Sequence, residues 1–324
     1  MAGVISRWET GEPARAQSVI SLRRYYEFLS KKLFNEYEPT KTADIQVARD
    51  FMRRVDDWLE CFSSDSHAIS AFRSLEYIMF AGNGEYEELY RCAYRMNIVN
   101  WLIEGLPGRM FAENVDTTIK DALLKTWICP ASDSLRINEF IKITGIATPR
   151  EQPDFRTLRE FCHEEKIKEY IAERNIERLI VLEDFVGSGR QFKGALEVAM
   201  QLFAGPILAV PLIICERGKA NLVKYIAESG RANVELSPVM VVPQNCTASK
   251  QLTSGEPPSF IKLREAMKDG YDQIGMSLNG KQYGFDGIGS LVVLHSNCPN
   301  NVPPIYHAYG GGRWKPVFPR HQRG

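Results

Sequence analysis

The stretch from Leu179 to Ala195 limits what this chain can fold into more than any other segment. It opens with four apolar residues, Leu179-Ile180-Val181-Leu182, which read as a strand buried on both faces of a parallel sheet. Glu183 and Asp184 are expected to end that strand, and Gly187-Ser188-Gly189 to turn the chain. From Arg190 to Phe203 the positions of Phe192, Ala195, Leu196, Val198, Ala199 and Leu202 keep the spacing of a helix packed back on a sheet. Strand, small-residue turn and helix together aim several backbone N–H groups and the positive helix end at one spot. That spot favours an anion, most often a phosphate.

The details decide which phosphate ligand fits. A dinucleotide fingerprint requires glycine at position 192, where Phe192 stands, and a Walker loop requires a closing Gly-Lys-Ser or Gly-Lys-Thr, which is absent. Two adjacent carboxylates ahead of a small hydroxyl-bearing loop suit a ribose phosphate. The acids accept hydrogen bonds from the sugar hydroxyls, while loop amides and Ser188 hold the 5′-phosphate. The same pattern also serves as a purely structural turn in any doubly wound fold.

On these residues the stretch resembles the diphosphoribosyl-binding motif of type I phosphoribosyltransferases: apolar strand, two acids, then a Thr/Ser/Gly loop. The resemblance implies Glu183 and Asp184 as the catalytic acid pair and Gly187, Ser188, Gly189, Arg190 and Gln191 as the phosphate loop. Gln191 departs from the pattern, since that family usually has Thr or Ser there. The resemblance also implies phosphoribosyl pyrophosphate or a nucleotide as ligand, and Mg²⁺ carried in by the substrate rather than by a protein metal site.

At 324 residues the length suggests two domains, and 44% hydrophobic with 25% charged residues is the composition of an ordinary soluble globular protein. Lys plus Arg and Asp plus Glu number 40 each, so the global balance gives no reason for wholesale nucleic-acid or membrane binding. The N-terminus lacks a basic region followed by an apolar core, and no long apolar window occurs, so a cytoplasmic protein is expected. Seven cysteines are scattered without Cys-x-x-Cys spacing, and five histidines lack ligand spacing. Free thiols and no structural zinc follow.

Residues 14–124 show helical periodicity, with Val19, Leu22, Tyr26, Leu29 and Leu33 in one segment and Val47, Phe51, Val55, Trp58, Leu59 and Phe62 in the next. Asp65 to Phe80 and Tyr86 to Leu106 repeat the pattern, so four or five helices are expected before any strand. The pairs Arg23-Arg24, Lys31-Lys32 and Arg53-Arg54 are interleaved with acids and read as solvated helix faces. From Leu123 strands and helices alternate. The expected organisation is an N-terminal helical region, 1–122, and an α/β domain with a parallel sheet, phosphoribosyltransferase-like, over 123–324.

Lys125 to Ala131 is a candidate strand, followed by Ser132-Asp133-Ser134 and a helix from Leu135 to Gly145. A Ser-Asp-Ser turn ahead of a helix suits an N-cap, and the resemblance implies instead a loop that meets the pyrophosphate. Type I enzymes usually carry a mobile lid next. Here Phe155 to Asn175 reads as a charged helix, so the lid is either short, Thr148 to Glu151, or absent. Further strands are expected at Ile207 to Cys215, Val234 to Pro243 and Ser290 to His295, with Asn297 to Asn301 on the same rim as Asp184. Trp314 and Phe318 in the tail read as packing residues.

The ending, together with the Glu183 to Gln191 motif, Ser132 to Ser134 and Asn297 to Asn301, also resembles phosphoribosyltransferase-like effectors of bacterial conflict operons, some encoded beside retron reverse transcriptases. That branch implies a role in antiviral defence, with a reverse transcriptase and its nucleic acid, or another operon-encoded protein, as partner. Two other readings stay open. Leu182 to Gln191 resembles the S-adenosylmethionine motif of DNA methyltransferases, with Glu216 at the next strand end and Asn301 to Tyr306 as an interrupted catalytic motif. A non-catalytic nucleotide sensor or scaffold is the other.

Overall fold

The computed structural model describes residues 3–39, 50–105, 114–146, 164–276, 280–310 and 312–320. Its strands are β1 (Met79–Ala81), β2 (Thr126–Pro130), β3 (Arg178–Val186), β4 (Ile207–Cys215), β5 (Val234–Leu236), β6 (Met240–Val242) and β7 (Val292–Leu294). The chain forms two compact units, one of Met1–Tyr86 with Pro243–Gly324, the other Glu87–Val242. The expected cut at residue 122 is therefore replaced by an insertion: the first unit is built from both ends of the chain, and the second lies between them.

In the second unit every paired strand is parallel, in the order β2-β3-β4-β5, with β6 also paired to β4. All of β4 and all of β3 beyond Arg178 are buried. A parallel sheet covered on both faces demands this, which is why its strands read as unbroken apolar runs. Helices Ile137–Thr144, Glu164–Glu173, Arg190–Leu202 and Glu216–Glu228 connect the strands. Phe192, Leu196 and Ala199 enter the same buried cluster as Trp127, Val181 and Ile214. The bulk at Phe192, where a dinucleotide fingerprint has glycine, is thus a core side chain. The expected single strand from Val234 to Pro243 is divided at Pro238, which has no N–H for the ladder. Pairing with β4 still continues through Ser237 N and Val239 N, which donate to the Ala209 and Pro211 carbonyls at 2.9 and 3.0 Å.

The first unit holds helices Pro13–Lys32, Phe51–Leu59, Asp65–Ser74 and Ser259–Gln273, and a parallel pair of β1 with β7. Two expectations are corrected by that pair. A strand does precede residue 123: the helix from Asp65 stops at Ser74, and Phe80 lies in β1. β7 pairs with β1, and not with the larger sheet, so Asn297 to Asn301 do not continue from the sheet that carries Asp184.

Arg54 corrects a third. Expected on a solvated face, it is buried, with Nε donating to the Val317 carbonyl at 2.9 Å and Nη2 to that of Phe34 at 3.1 Å. Burial lowers its pKa to about 10. The C-terminal segment it grips is packing, as read from its aromatics: Phe318 is fully buried, with its ring 5.3 to 6.3 Å from those of Phe34, Tyr37, Phe51 and Phe80. The six described cysteines are free thiols. Among the described residues, no helix is long and apolar enough to cross a membrane.

Candidate functional site

β2 and β3 run in parallel register from Thr126↔Arg178 to Pro130↔Leu182, so the chain leaving β2 emerges beside Glu183. Ala131 N donates to the Leu182 carbonyl at 2.7 Å, and Ser132-Asp133-Ser134 follows at once. Ser134 Oγ donates to Asp184 Oδ1 at 3.0 Å, and the hydroxyls of Ser132 and Ser134 lie 2.6 Å apart. Ser132 also hydrogen-bonds Glu183 through its side chain and its backbone. The N-cap alternative is not what forms: the Ile137–Thr144 helix starts after Arg136, with no side-chain cap.

Glu183 and Asp184 do not end β3. The strand continues to Val186 because the long β4 keeps it paired, Glu183 opposite Pro211 and Val186 opposite Ile214. Both acids are consequently buried, 4% and 5% exposed. Asp184 Oδ1 also accepts from Phe185 N at 2.7 Å. Burial first, and then the charge of Asp184, push the Glu183 carboxyl well above its ordinary pKa, and the Ser132 hydrogen bonds pull the other way. Among the described residues, the buried Glu183 Oε2 has no hydrogen-bond partner. A lone acceptor of this kind is costly unless something else donates to it.

Beyond Val186 the turn is fixed by close approach. Gly189 has φ +84°, and a Cβ there would lie 3.1 Å from the Gly218 carbonyl oxygen. A Cβ on Gly218 would run into the Gly187 carbonyl oxygen. Asn221 Nδ2 donates to the Ser188 carbonyl at 2.9 Å, and Ser188 Oγ accepts from Arg190 N at 3.4 Å while keeping its own hydrogen to donate. Arg190 and Gln191 sit exposed on the first turn of the Arg190–Leu202 helix.

The structure therefore brings Ser132, Ser134, Glu183 and Asp184 into one hydrogen-bonded cluster, with Asp133 acting on Glu183 through its charge. Gly187 to Gln191 follow directly from the same strand end. Gly218 and Asn221, which back the turn, went unread. Their signal was a second buried strand that ends at Cys215 and runs directly into a helix starting at Glu216, with Gly218 in its first turn. The segment considered for a lid, Thr148 to Glu151, lies outside the described residues. Among the described residues, no group of three His, Cys, Asp or Glu is arranged to hold a metal. The interrupted methyltransferase motif is core: Ile305 and Tyr306 are fully buried in the first unit, and the Tyr306 hydroxyl is in hydrogen-bond contact with Ser74.

An open parallel sheet, an acid pair on its central strand and a glycine turn into a helix define a phosphoribosyltransferase-like protein. The chain belongs to the PRTase-CE family, which matches residues 55–320 and so takes in most of both units. No curated protein and no solved structure matches it.

Proposed function

We propose that this site binds a ribose 5-phosphate ligand, phosphoribosyl pyrophosphate or a nucleotide, and breaks its bond at C1′. The observation that carries the reading is the unpartnered, buried Oε2 of Glu183, held beside Asp184 at the entrance to the Gly187–Gly189 turn. A ribose hydroxyl is a donor of the size and polarity that such an acceptor lacks. The loop amides and the Ser188 hydroxyl then meet the 5′-phosphate, and the positive end of the Arg190–Leu202 helix favours its charge.

As the C1′–oxygen bond to pyrophosphate breaks, or the C1′–nitrogen bond of a nucleotide, positive charge builds on the sugar. Glu183 and Asp184 fix the ribose, the negative charge on Asp184 favours that positive charge, and a new bond from C1′ forms to an acceptor nitrogen or to water, which gives up its proton. The acids of this rim fit a hydrated cation that arrives with the ligand, and Mg²⁺, when bound, neutralises the departing pyrophosphate. Ser132 and Ser134 hold the carboxyls in place until the ligand enters. The resemblance to conflict-operon effectors supports an antiviral role for this chemistry, with a retron reverse transcriptase and its nucleic acid, or another operon-encoded protein, as partner.

Calorimetry of the protein with phosphoribosyl pyrophosphate and Mg²⁺, beside S-adenosylmethionine, tests the site. Binding of the first is expected, weakened at least tenfold in Asp184→Asn. Binding of S-adenosylmethionine alone would replace the reading with a methyltransferase, and silence with both would leave a scaffold. In cells, loss of phage protection in Asp184→Asn is expected, and unchanged protection would detach the defence role from this site.

A further inference from the structure

We propose that the solvent face of the Pro13–Lys32 helix is a docking surface for a single-stranded nucleic acid, whose bases stack on Phe28 and whose phosphates meet Arg24, Lys31 and Lys32. This inference does not depend on the ribose-phosphate reading of Glu183 and Asp184, which belong to the other unit.

One side of this helix is committed to the core. Ala16, Val19, Tyr26 and Ser30 are buried, Leu22, Leu29 and Leu33 pack against the core of the unit, and the Tyr26 hydroxyl donates to the Phe72 carbonyl at 3.0 Å. The other side carries a different chemistry. From Ser21 to the helix end the exposed residues are Ser21, Arg24, Tyr25, Phe28, Lys31 and Lys32, which at 3.6 residues per turn fall within one stripe. The stripe holds three cations, two aromatic rings and no acid. Glu27, the acid of this segment, lies off it and is occupied: Arg23 pairs with Glu27 and with Glu9, each at 2.8 Å. The acids and bases that alternate in the sequence thus separate in space into a neutralised flank and a basic face. Among the described residues, Arg24, Lys31 and Lys32 form no ion pair and Phe28 no ring contact.

Phe28 is 59% exposed and Tyr25, one turn before it, 47%. Tyr25 is steadied by the ring of Tyr26, 5.8 Å away between centroids, so Phe28 is the open platform. Two large rings on the solvent side of a helix that packs through its other side leave apolar surface in water, which is unfavourable until something covers it. Lys31 and Lys32 suit the negative end of the helix, but that accounts for neither ring. Arg24 and Lys32 stand one turn to either side of Phe28, and Arg24 to Lys31 spans about 10 Å along the axis. A ring between cations matches a single strand: an unpaired base offers a π-face to the ring, and the phosphates on both sides offer charges opposite to Arg and Lys. A protein partner fits less well, since the buried centre of a protein interface is depleted of charge and of lysine in particular, and here each ring adjoins a cation.

The test follows the fluorescence anisotropy of labelled oligothymidylate and oligouridylate, each of about twelve nucleotides, with the full chain. At least one single strand should bind, at least tenfold more tightly than a duplex of the same length, and the tighter of the two tells DNA from RNA. Phe28→Ala should weaken that binding tenfold or more and leave its salt dependence unchanged. Arg24→Gln should weaken it and lower the slope of log affinity against log salt by about 0.7. Both side chains are exposed, so the thermal midpoint should hold in each variant. No single-strand binding, binding indifferent to Phe28→Ala, or a duplex bound as tightly overturns the proposal. Polyglutamate bound as tightly as the oligonucleotides, and lost in Arg24→Gln, would give the face to an acidic protein and overturn it as well. Failure of phosphoribosyl pyrophosphate to bind the unsubstituted chain leaves this result untouched.

Discussion

Glu183 keeps a carboxyl where ionisation is disfavoured, and the consequence for stability has a definite sign. Its pKa is raised in the folded chain, so the native state binds a proton that the unfolded chain has released once the pH passes the ordinary carboxylic range. Its contribution is complete below that range and is lost as pH rises through the folded value. Glu183→Gln keeps the shape and removes the titration. The substitution should leave the thermal midpoint nearly unchanged at pH 4.5 and raise it at pH 8, each kcal/mol moving a unit of this size by about 2–4 °C. A parallel offset at both values would show that the carboxyl titrates normally. The acid pair itself was legible, because two carboxylates after an apolar run is a local pattern. That Ser132 and Ser134 cover it was not, since those contacts depend on β2 lying in register beside β3, a pairing of residues about fifty apart.

At the scale of the element, the Gly187–Gly189 turn is a contact between two helix starts. Gly218 stands near the start of the Glu216–Glu228 helix, where alanine normally stabilises by up to about 1 kcal/mol over glycine. A Cβ there collides with the Gly187 carbonyl, so Gly218→Ala should instead destabilise by about 1–3 kcal/mol, an overpacking cost. Gly194→Ala, in the Arg190–Leu202 helix with open space around its Cβ, is the matched control and should stabilise. Urea unfolding of both variants decides it: stabilisation by Gly218→Ala would mean that the turn yields freely. Phosphoribosyl pyrophosphate affinity should fall at least tenfold in Gly218→Ala alone. The helices and long parallel strands were readable from local period and run length. β1 and β7 were not, because three-residue strands carry too little period to be told from helix ends, and their partner lies more than two hundred residues away. Arg54 escaped for a related reason: a helix-face pattern cannot show that carbonyls from Phe34 and Val317 will converge on it.

For the whole molecule, the two units should answer acid in opposite directions. His307 in the first unit is kept neutral to about pH 4 while an unfolded histidine protonates near pH 6.5, so below that pH the unfolded chain binds the extra proton and the first unit loses stability. Between pH 7 and pH 5 the loss is about 1–2 kcal/mol, the lower figure allowing for the part of the residue exposed to solvent. The raised carboxyl of Glu183 gives the second unit the reverse trend, since acid supplies the proton that its native state prefers. Hydrogen exchange at pH 5 and pH 7, corrected for intrinsic rates, separates the two. Protection in Phe51–Leu59 and Asp65–Ser74 should fall with acid, while that in β3 and β4 holds or rises. His307→Gln, which keeps a donor for the Val302 carbonyl without a titrating ring, should abolish the fall in the first unit and leave the second unchanged. If both units lose protection together in the unsubstituted chain, they unfold as one cooperative body and the insertion of one into the other has coupled them. Separate trends would instead mean that each core holds its own stability, and that a ligand filling one site protects that unit first.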